Sequence, residues 1–237
     1  MKIEGAVALV TGANGGIGRA LVRALVERKV RHVYATSRSA AVDQSDGHLV
    51  TSLRMDVTCE RAVSDVANLA SDVTLLINNA GVLTKGEVLQ ASTDEIWSDL
   101  ETNCLGLVTV VRRFAEVLEG NGGGTILNVL SISALANSPS IGVYSASKAA
   151  AWSMTQAARA SLAKRNIRVL GAFPGPVDTP MTRGMEARKA DPQEVARAML
   201  DGVEGDVEEI FPDAMSRQAG ALWGANPKLL ERQFSSL

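Results

Sequence analysis

The strongest chemical signal in this sequence is a pair of side chains whose types and spacing suit proton transfer. In Tyr144-Ser145-Ala146-Ser147-Lys148 a phenol and an ammonium stand four residues apart, so a helix sets both on one face. A neighbouring cation favours the phenolate and lowers a pKa that is about 10 when unperturbed. A tyrosine so placed can give or take a proton near neutral pH. The competing account is an exposed helical pair, which is common and weak. Other signals along the chain decide between the two.

Thr11-Gly12-Ala13-Asn14-Gly15-Gly16-Ile17-Gly18 follows a short apolar run and opens a helical pattern. Gly12, Gly16 and Gly18 allow a sharp turn, close approach to a pyrophosphate and tight helix-on-strand packing. The helix N-terminus adds free N–H groups and a positive dipole end, and Asn14 and Ile17 share that turn. An ordinary glycine-rich turn is the alternative, which the strand-turn-helix context disfavours. The spacing is Gly-x-x-x-Gly-x-Gly and not Gly-x-Gly-x-x-Gly. After the second apolar run the chain reads Ala35-Thr36-Ser37-Arg38. No carboxylate waits there for ribose hydroxyls, and Arg38 can hold a 2′-phosphate with two charge-assisted hydrogen bonds. NADP(H) is therefore the expected cofactor, with NAD(H) second. In the competing account Arg38 is a solvated surface charge and Asp43 supplies the acid.

These residues need elements to position them. Candidate strands rich in Val, Ile and Leu are Ala6 to Val10, His32 to Thr36, Leu49 to Met55, Val73 to Ile77, Thr125 to Leu130, Ile167 to Phe173 and Val207 to Phe211. Helical patterns lie between them, at Ile17 to Arg28, Glu60 to Ala70, Thr93 to Leu118, Val143 to Ala163 and Pro192 to Val203. The last has Asp191 as N-cap and Pro192 in its first turn. Several strands are apolar on both faces, which fits a buried parallel sheet. The alternation implies an α/β, Rossmann-type doubly wound sheet with helices on both faces. A length of 237 residues with 46% hydrophobic suits one domain spanning 1–237. The segment Asp213 to Leu237 is weakly patterned and suggests no more than a partner-contacting tail.

Composition narrows the function classes. A net charge of −2 gives no field for nucleic acid or anionic lipid. Cys59 and Cys104 form no CxxC, and His32 and His48 lack partners at ligand spacing, so no metal and reduced thiols are expected. The opening Met-Lys-Ile-Glu-Gly fits neither a signal peptide nor a membrane span, and a cytoplasmic setting is expected.

Further motifs occur in a fixed order: Asn78-Asn79-Ala80-Gly81, Asn103, Asn128-Val129-Leu130-Ser131, the Tyr-x-x-x-Lys pair, then Pro174-Gly175-Pro176-Val177-Asp178-Thr179. Together with the glycine turn they resemble the short-chain dehydrogenase/reductase family in its single-domain form, over residues 6 to about 180. The resemblance implies a sheet of about seven parallel strands with the active site at the strands' carboxyl ends. It implies that Ser131, thirteen residues before Tyr144, hydrogen-bonds the substrate oxygen, with Ser133 the weaker candidate. Tyr144 is the implied acid or base, Lys148 holds the nicotinamide ribose, and Asn103 anchors a water. Asp56 would meet the adenine amino group, with Val57 beside it. The alternative for Asp56 is a turn or helix-capping carboxylate. Asn79, Ala80 and Gly81 would line the adenosine ribose, and Pro174, Gly175, Val177 and Thr179 the nicotinamide.

Two departures matter. Position 15 is Gly where many NADP(H)-preferring relatives carry Arg or Lys. Pro180 to Asp191 is also short for a substrate cover, which suggests a shallow or partly open pocket. The expected function is an NADP(H)-dependent carbonyl reductase, or the reverse reaction, on a small carbonyl or alcohol. A dinucleotide-sensing regulator would be expected to lose the Tyr or the Lys, and an epimerase or dehydratase usually needs a further domain. Leu135, Ile141, Val143, Met181 and Met185 are the expected apolar pocket residues. A homodimer or homotetramer is implied through Thr93 to Leu118 and Val143 to Ala163, which carry Trp97, Leu107, Val110, Val111, Trp152 and Met154.

Overall fold

The computed structural model describes residues 1–38 and 47–236; Asp43 lies outside them. In chain order the elements are β1 (Val7–Thr11), α1 (Gly16–Glu27), β2 (His32–Ser37), β3 (Val50–Arg54), α2 (Glu60–Leu69), β4 (Leu75–Asn78) and α3 (Thr93–Leu100). A π-helical segment (Glu101–Gly106) joins α3 to α4 (Leu107–Gly120). Then come β5 (Gly124–Val129), α5 (Gly142–Leu162), β6 (Ile167–Ala172), α6 (Pro192–Glu204), β7 (Glu209–Ile210), α7 (Ala214–Ala225) and α8 (Pro227–Phe234).

The strands form one 7-stranded sheet in the order β3-β2-β1-β4-β5-β6-β7, and every pairing is parallel. The order reverses between β1 and β4, the place where a doubly wound sheet opens a crevice at its carboxyl edge. Alternation within β1 shows the two layers. Val7 and Leu9 join one buried cluster with residues of α2, α4 and α5, while Ala8 and Val10 join another with α1 and α6. Both faces are thus covered, which is why the central strands β1 and β4 are mostly apolar and fully buried. Element boundaries agree with the sequence expectations to within a residue or two, β7 included, although it is only 2 residues long. The Asp191 cap is present: its carboxylate accepts from the Gln193 and Glu194 amides at 2.7 and 3.0 Å.

Three expectations change. The helix expected over Thr93 to Leu118 is divided by its π-helical turn, an irregularity that periodicity does not reveal. The segment from Asp213 onward folds into two helices, each started by a side-chain cap: Asp213 on the Ser216 amide and Asn226 on the Leu229 amide. Leu107, Val110, Val111 and Trp152 are buried in the chain's own core, so they are not spare apolar surface. Trp97 at 58% and Met154 at 45% do stay exposed.

Candidate active site

The glycine turn runs from the carboxyl end of β1 into α1. Gly15 caps α1 with no side-chain hydrogen bond, and the first helical turn holds no acidic residue. Free N–H groups and the positive helix end therefore face the cleft. Gly12 and Gly16 have φ of +64° and +45°, and a Cβ on Gly16 would lie 2.8 Å from Thr179. A Cβ on Gly18 would stand 2.2 Å from the Gly12 carbonyl oxygen; this glycine lets α1 pack on the turn and does not line the cleft.

The ends of β1 and β4 are fastened together. The Thr11 hydroxyl accepts from the Asn79 and Ala80 amides, both at 2.9 Å, while Asn79 Nδ2 donates to the Thr11 and Gly12 carbonyls at 3.0 and 3.1 Å. A second chain of hydrogen bonds ties α5 to the sheet. Asn78 donates to Asn128 at 2.8 Å, and Asn128 donates to the Thr155 hydroxyl at 3.0 Å. Since these groups are buried, the chain fixes the rotation of α5 and with it the aim of Tyr144 and Lys148.

A cleft of ≈ 850 Å³ opens along the carboxyl edge. Of the candidate site residues it is lined by Gly12, Asn14, Gly16, Ile17, Ser37, Arg38, Val57, Asn79, Ala80, Gly81, Ser131, Tyr144, Lys148, Pro174, Gly175, Val177 and Thr179. Asn103 lies beneath its floor, buried. There its Oδ1 accepts from the Val82 amide at 2.9 Å, and its Nδ2 donates to the Val82 carbonyl at 3.0 Å and the Ser147 hydroxyl at 2.9 Å. Asp56 does not line the cleft. Its Oδ1 accepts from the Thr58 amide and hydroxyl at 3.0 and 2.8 Å, the turn-capping alternative. Of the apolar pocket candidates Ile141, Met181 and Met185 line the cleft, whereas Val143 is buried and Leu135 packs against the core.

Lys148 Nζ donates to the Val129 carbonyl at 3.0 Å and sits 5.8 Å from the centre of the Tyr144 ring. Burial pushes the Tyr144 phenol up to about 12; a hydrogen bond with Ser131 acts against this and the charge of Asp99 adds to it. Burial also pulls the Lys148 ammonium down to about 8, opposed by Asp99. The sequence expectation of a lowered tyrosine pKa is therefore reversed in the protein alone, because desolvation of the phenolate outweighs the Ser131 hydrogen bond. Tyr144 is held protonated at neutral pH, as a proton donor.

Two contributors escaped the sequence analysis. Asp99, fully buried one turn before Asn103, accepts from the Thr84 amide and hydroxyl at 3.2 and 2.8 Å. It thereby clamps the loop whose Leu83 and Lys85 border the cleft. Its only sequence signal is that it stands four residues before Asn103 on an expected helix. Arg54 ends β3 opposite Ser37, and its Nε donates to the Arg38 carbonyl at 3.0 Å. Strand register alone brings this second cation beside the first, and register is not written in either strand. Among the described residues no group of His, Cys, Asp and Glu could hold a metal ion, and no helix is long and apolar enough to cross a membrane.

The depressed Lys148 value makes a stability prediction. A folded pKa below the unfolded one means that stability rises with pH between about 8 and 10.5, since the unfolded chain binds the proton more tightly. Lys148→Met removes that dependence. Relative to the parent, the variant should lose up to roughly 3 kcal/mol of stability between pH 7 and 10.5. Urea unfolding at the two pH values measures this, and an unchanged difference would contradict a desolvated ammonium.

A family model described as short chain dehydrogenase matches residues 6–190. A 3-oxoacyl-[acyl-carrier-protein] reductase of Vibrio cholerae is 33% identical over 223 residues, covering 84% of this chain and 90% of its own. A solved short chain dehydrogenase from Burkholderia cenocepacia in complex with NADP is 40% identical, with a TM-score of 0.94 over 99% of both chains. A 3-ketoacyl-(acyl-carrier-protein) reductase from Brucella melitensis complexed with NADH is 27% identical, with a TM-score of 0.79 over 84% of this chain and 91% of its own. The glycine turn, the sheet order and these matches agree: the chain belongs to the short chain dehydrogenase family of oxidoreductases.

Proposed function

We propose that this chain reduces a small ketone or aldehyde to an alcohol, or runs the reverse reaction, with NADP(H) as preferred cofactor and NAD(H) as the weaker one. The observation that most supports this is the convergence of Ser131, Tyr144 and Lys148 on the same cleft as the uncapped N-terminus of α1. The dinucleotide fits the residues present. Gly12, Gly16 and the bare helix end leave N–H donors for a pyrophosphate, and Arg38 and Arg54 put positive charge past the end of β2. When bound, the nicotinamide supplies or accepts the hydride.

The chain's own groups handle the proton. Ser131 and Tyr144 hydroxyls hydrogen-bond the substrate oxygen. Tyr144, kept protonated by burial, donates its proton to that oxygen in reduction and takes it back in oxidation. Lys148 is the cation that holds the ribose and supports the phenolate left behind. Asn103 bridges the Val82 loop and Ser147 beneath the lysine, where it can anchor a water.

Tyr144→Phe should keep cofactor binding and lower turnover by ~10²–10⁴-fold, the usual loss for a missing general acid. Single-turnover assays beside NADPH titration check it, and turnover within a few-fold of the parent would remove Tyr144 from this role. For the cofactor, one charge-assisted contact contributes about 1.5–3 kcal/mol, so NADPH should bind roughly ten- to a hundredfold tighter than NADH. Arg38→Ala should erase most of that preference, and Ser37→Asp should favour NADH by repelling the phosphate. Dissociation constants at fixed salt decide the matter; a parent indifferent to the phosphate, or a ratio untouched in Arg38→Ala, refutes the assignment. The exposed Trp97 and Met154 support a dimer or tetramer, to be tested by sedimentation, where a monomer at micromolar concentration is the adverse result.

A further inference from the structure

The family match ends at residue 190, yet two side chains that line the cleft, Met215 and Phe234, come from beyond it. They belong to the α7–α8 hairpin, whose position is built in. Asp213 caps α7 by accepting from the Ser216 amide at 2.8 Å, and its other carboxylate oxygen accepts from the Gly175 amide, also at 2.8 Å. The carboxylate is buried, so one group both starts the helix and fastens it to the loop after β6. A Cβ on Gly175 would lie 3.4 Å from Met215 Cβ, which puts Met215 against that loop. Pro227 and the Asn226 cap then begin α8 and turn the chain back. Leu230 and Phe234 are buried in the cluster that includes Trp152 and Phe173.

Their place in the sheet tells which part of the cleft they border. Arg38 follows β2 and Gly175 follows β6, four strand intervals apart in the order β2-β1-β4-β5-β6, or roughly 19 Å. Met215 lies against the loop after β6, and Phe234, on the same hairpin, lines the same cleft, as do Ile132 and Ser133 just past Ser131 and the apolar Met181 and Met185. The hairpin thus borders the cleft at the end away from Arg38. The brief Pro180 to Asp191 segment is held by Lys85 Nζ, which donates to the Arg183 carbonyl at 2.9 Å, and the hairpin adds a further wall to a cleft that stays partly open.

We infer that the C-terminal hairpin is the size-selecting wall of the substrate pocket, with Met215 and Phe234 as specificity-determining residues that admit a compact, apolar carbonyl compound or alcohol. The inference rests on the reaction proposed above. Phe234 is a rigid ring in the last turn of a capped helix, buried among apolar neighbours. A bulkier substrate has to displace the ring and unpack α8, a reorganisation cost that a small one avoids.

The experiment compares a compact and a bulky aryl ketone, acetophenone and 2-acetonaphthone, in reduction. Calorimetric binding of the matching alcohols to the NADP⁺-loaded protein runs alongside. The parent should favour the smaller of each pair. Phe234→Ala and Met215→Ala should each move the ratio toward the larger by roughly tenfold, in binding as in kcat/KM, without changing NADPH affinity. Leu229→Ala, on the exposed side of α8, should change nothing. Phe234→Leu and thermal melts guard against loss of the hairpin's fold. Size ratios within about twofold of the parent in Phe234→Ala, Phe234→Leu and Met215→Ala overturn the wall. A parent that binds neither alcohol, or prefers the larger, overturns it too. Size-ordered binding without Tyr144-dependent turnover leaves the wall standing and refutes the proposed reaction instead.

Discussion

Keeping an ammonium group inside the protein is the constraint around which the site is organised. Lys148 is 5% exposed, and a cation removed from water loses hydration that only close polar groups can replace. One replacement is the Val129 carbonyl at the end of β5. Another is the field of the buried Asp99, which comes from a different helix. The lysine is thus tied to the sheet on one side and balanced electrostatically from α3 on the other. The same low dielectric that makes it costly also keeps the Tyr144 phenol protonated, so one environment prepares both groups.

That environment exists because the sheet brings distant segments to one edge. The glycine turn follows β1, Asn79 to Gly81 follow β4, Ser131 follows β5 and Gly175 follows β6. All strands run parallel, so their carboxyl ends meet on one side. The reversal of order between β1 and β4 separates the crossover helices there and leaves the crevice open. Polar ties cross this seam between Thr11 and Asn79, and a second set runs from Asn78 on β4 through Asn128 on β5 to Thr155 on α5, adding to the apolar contacts between the strands. Because each donor in these ties meets a specific acceptor, the edge is held in one geometry.

The substrate side is built differently. Its walls are loops and the terminal hairpin, held by single polar bolts: Asp213 to Gly175, Asp99 to Thr84, Lys85 to the Arg183 carbonyl. The cofactor half of the cleft rests on strand ends and a long helix that the family model covers. The outer wall lies beyond that match. On the roles proposed above, chemistry and selectivity belong to separately anchored parts of one chain, an arrangement that lets the pocket change shape without moving Tyr144.

Sequence by itself was enough for whatever depends on local order. Short runs of Val, Ile and Leu alternating with longer helical patterns read as buried strands, Gly12 and Gly16 mark a turn that few other residues can make, and the Tyr144–Lys148 interval places both side chains on one face of α5. Asp191 and Pro192 announced α6 in the same way. Tertiary structure alone decided what depends on partners far apart in the chain. It raised rather than lowered the tyrosine pKa, since burial is a property of the packed site. It gave Asp56 hydrogen bonds from Thr58, inserted a π-helical turn at Asn103, set Arg54 beside Arg38 through strand register, and drew Asp99 and Phe234 into the cleft's surroundings. Spacing in a sequence records periodicity within an element, whereas desolvation, register and long-range hydrogen bonds arise only when elements meet.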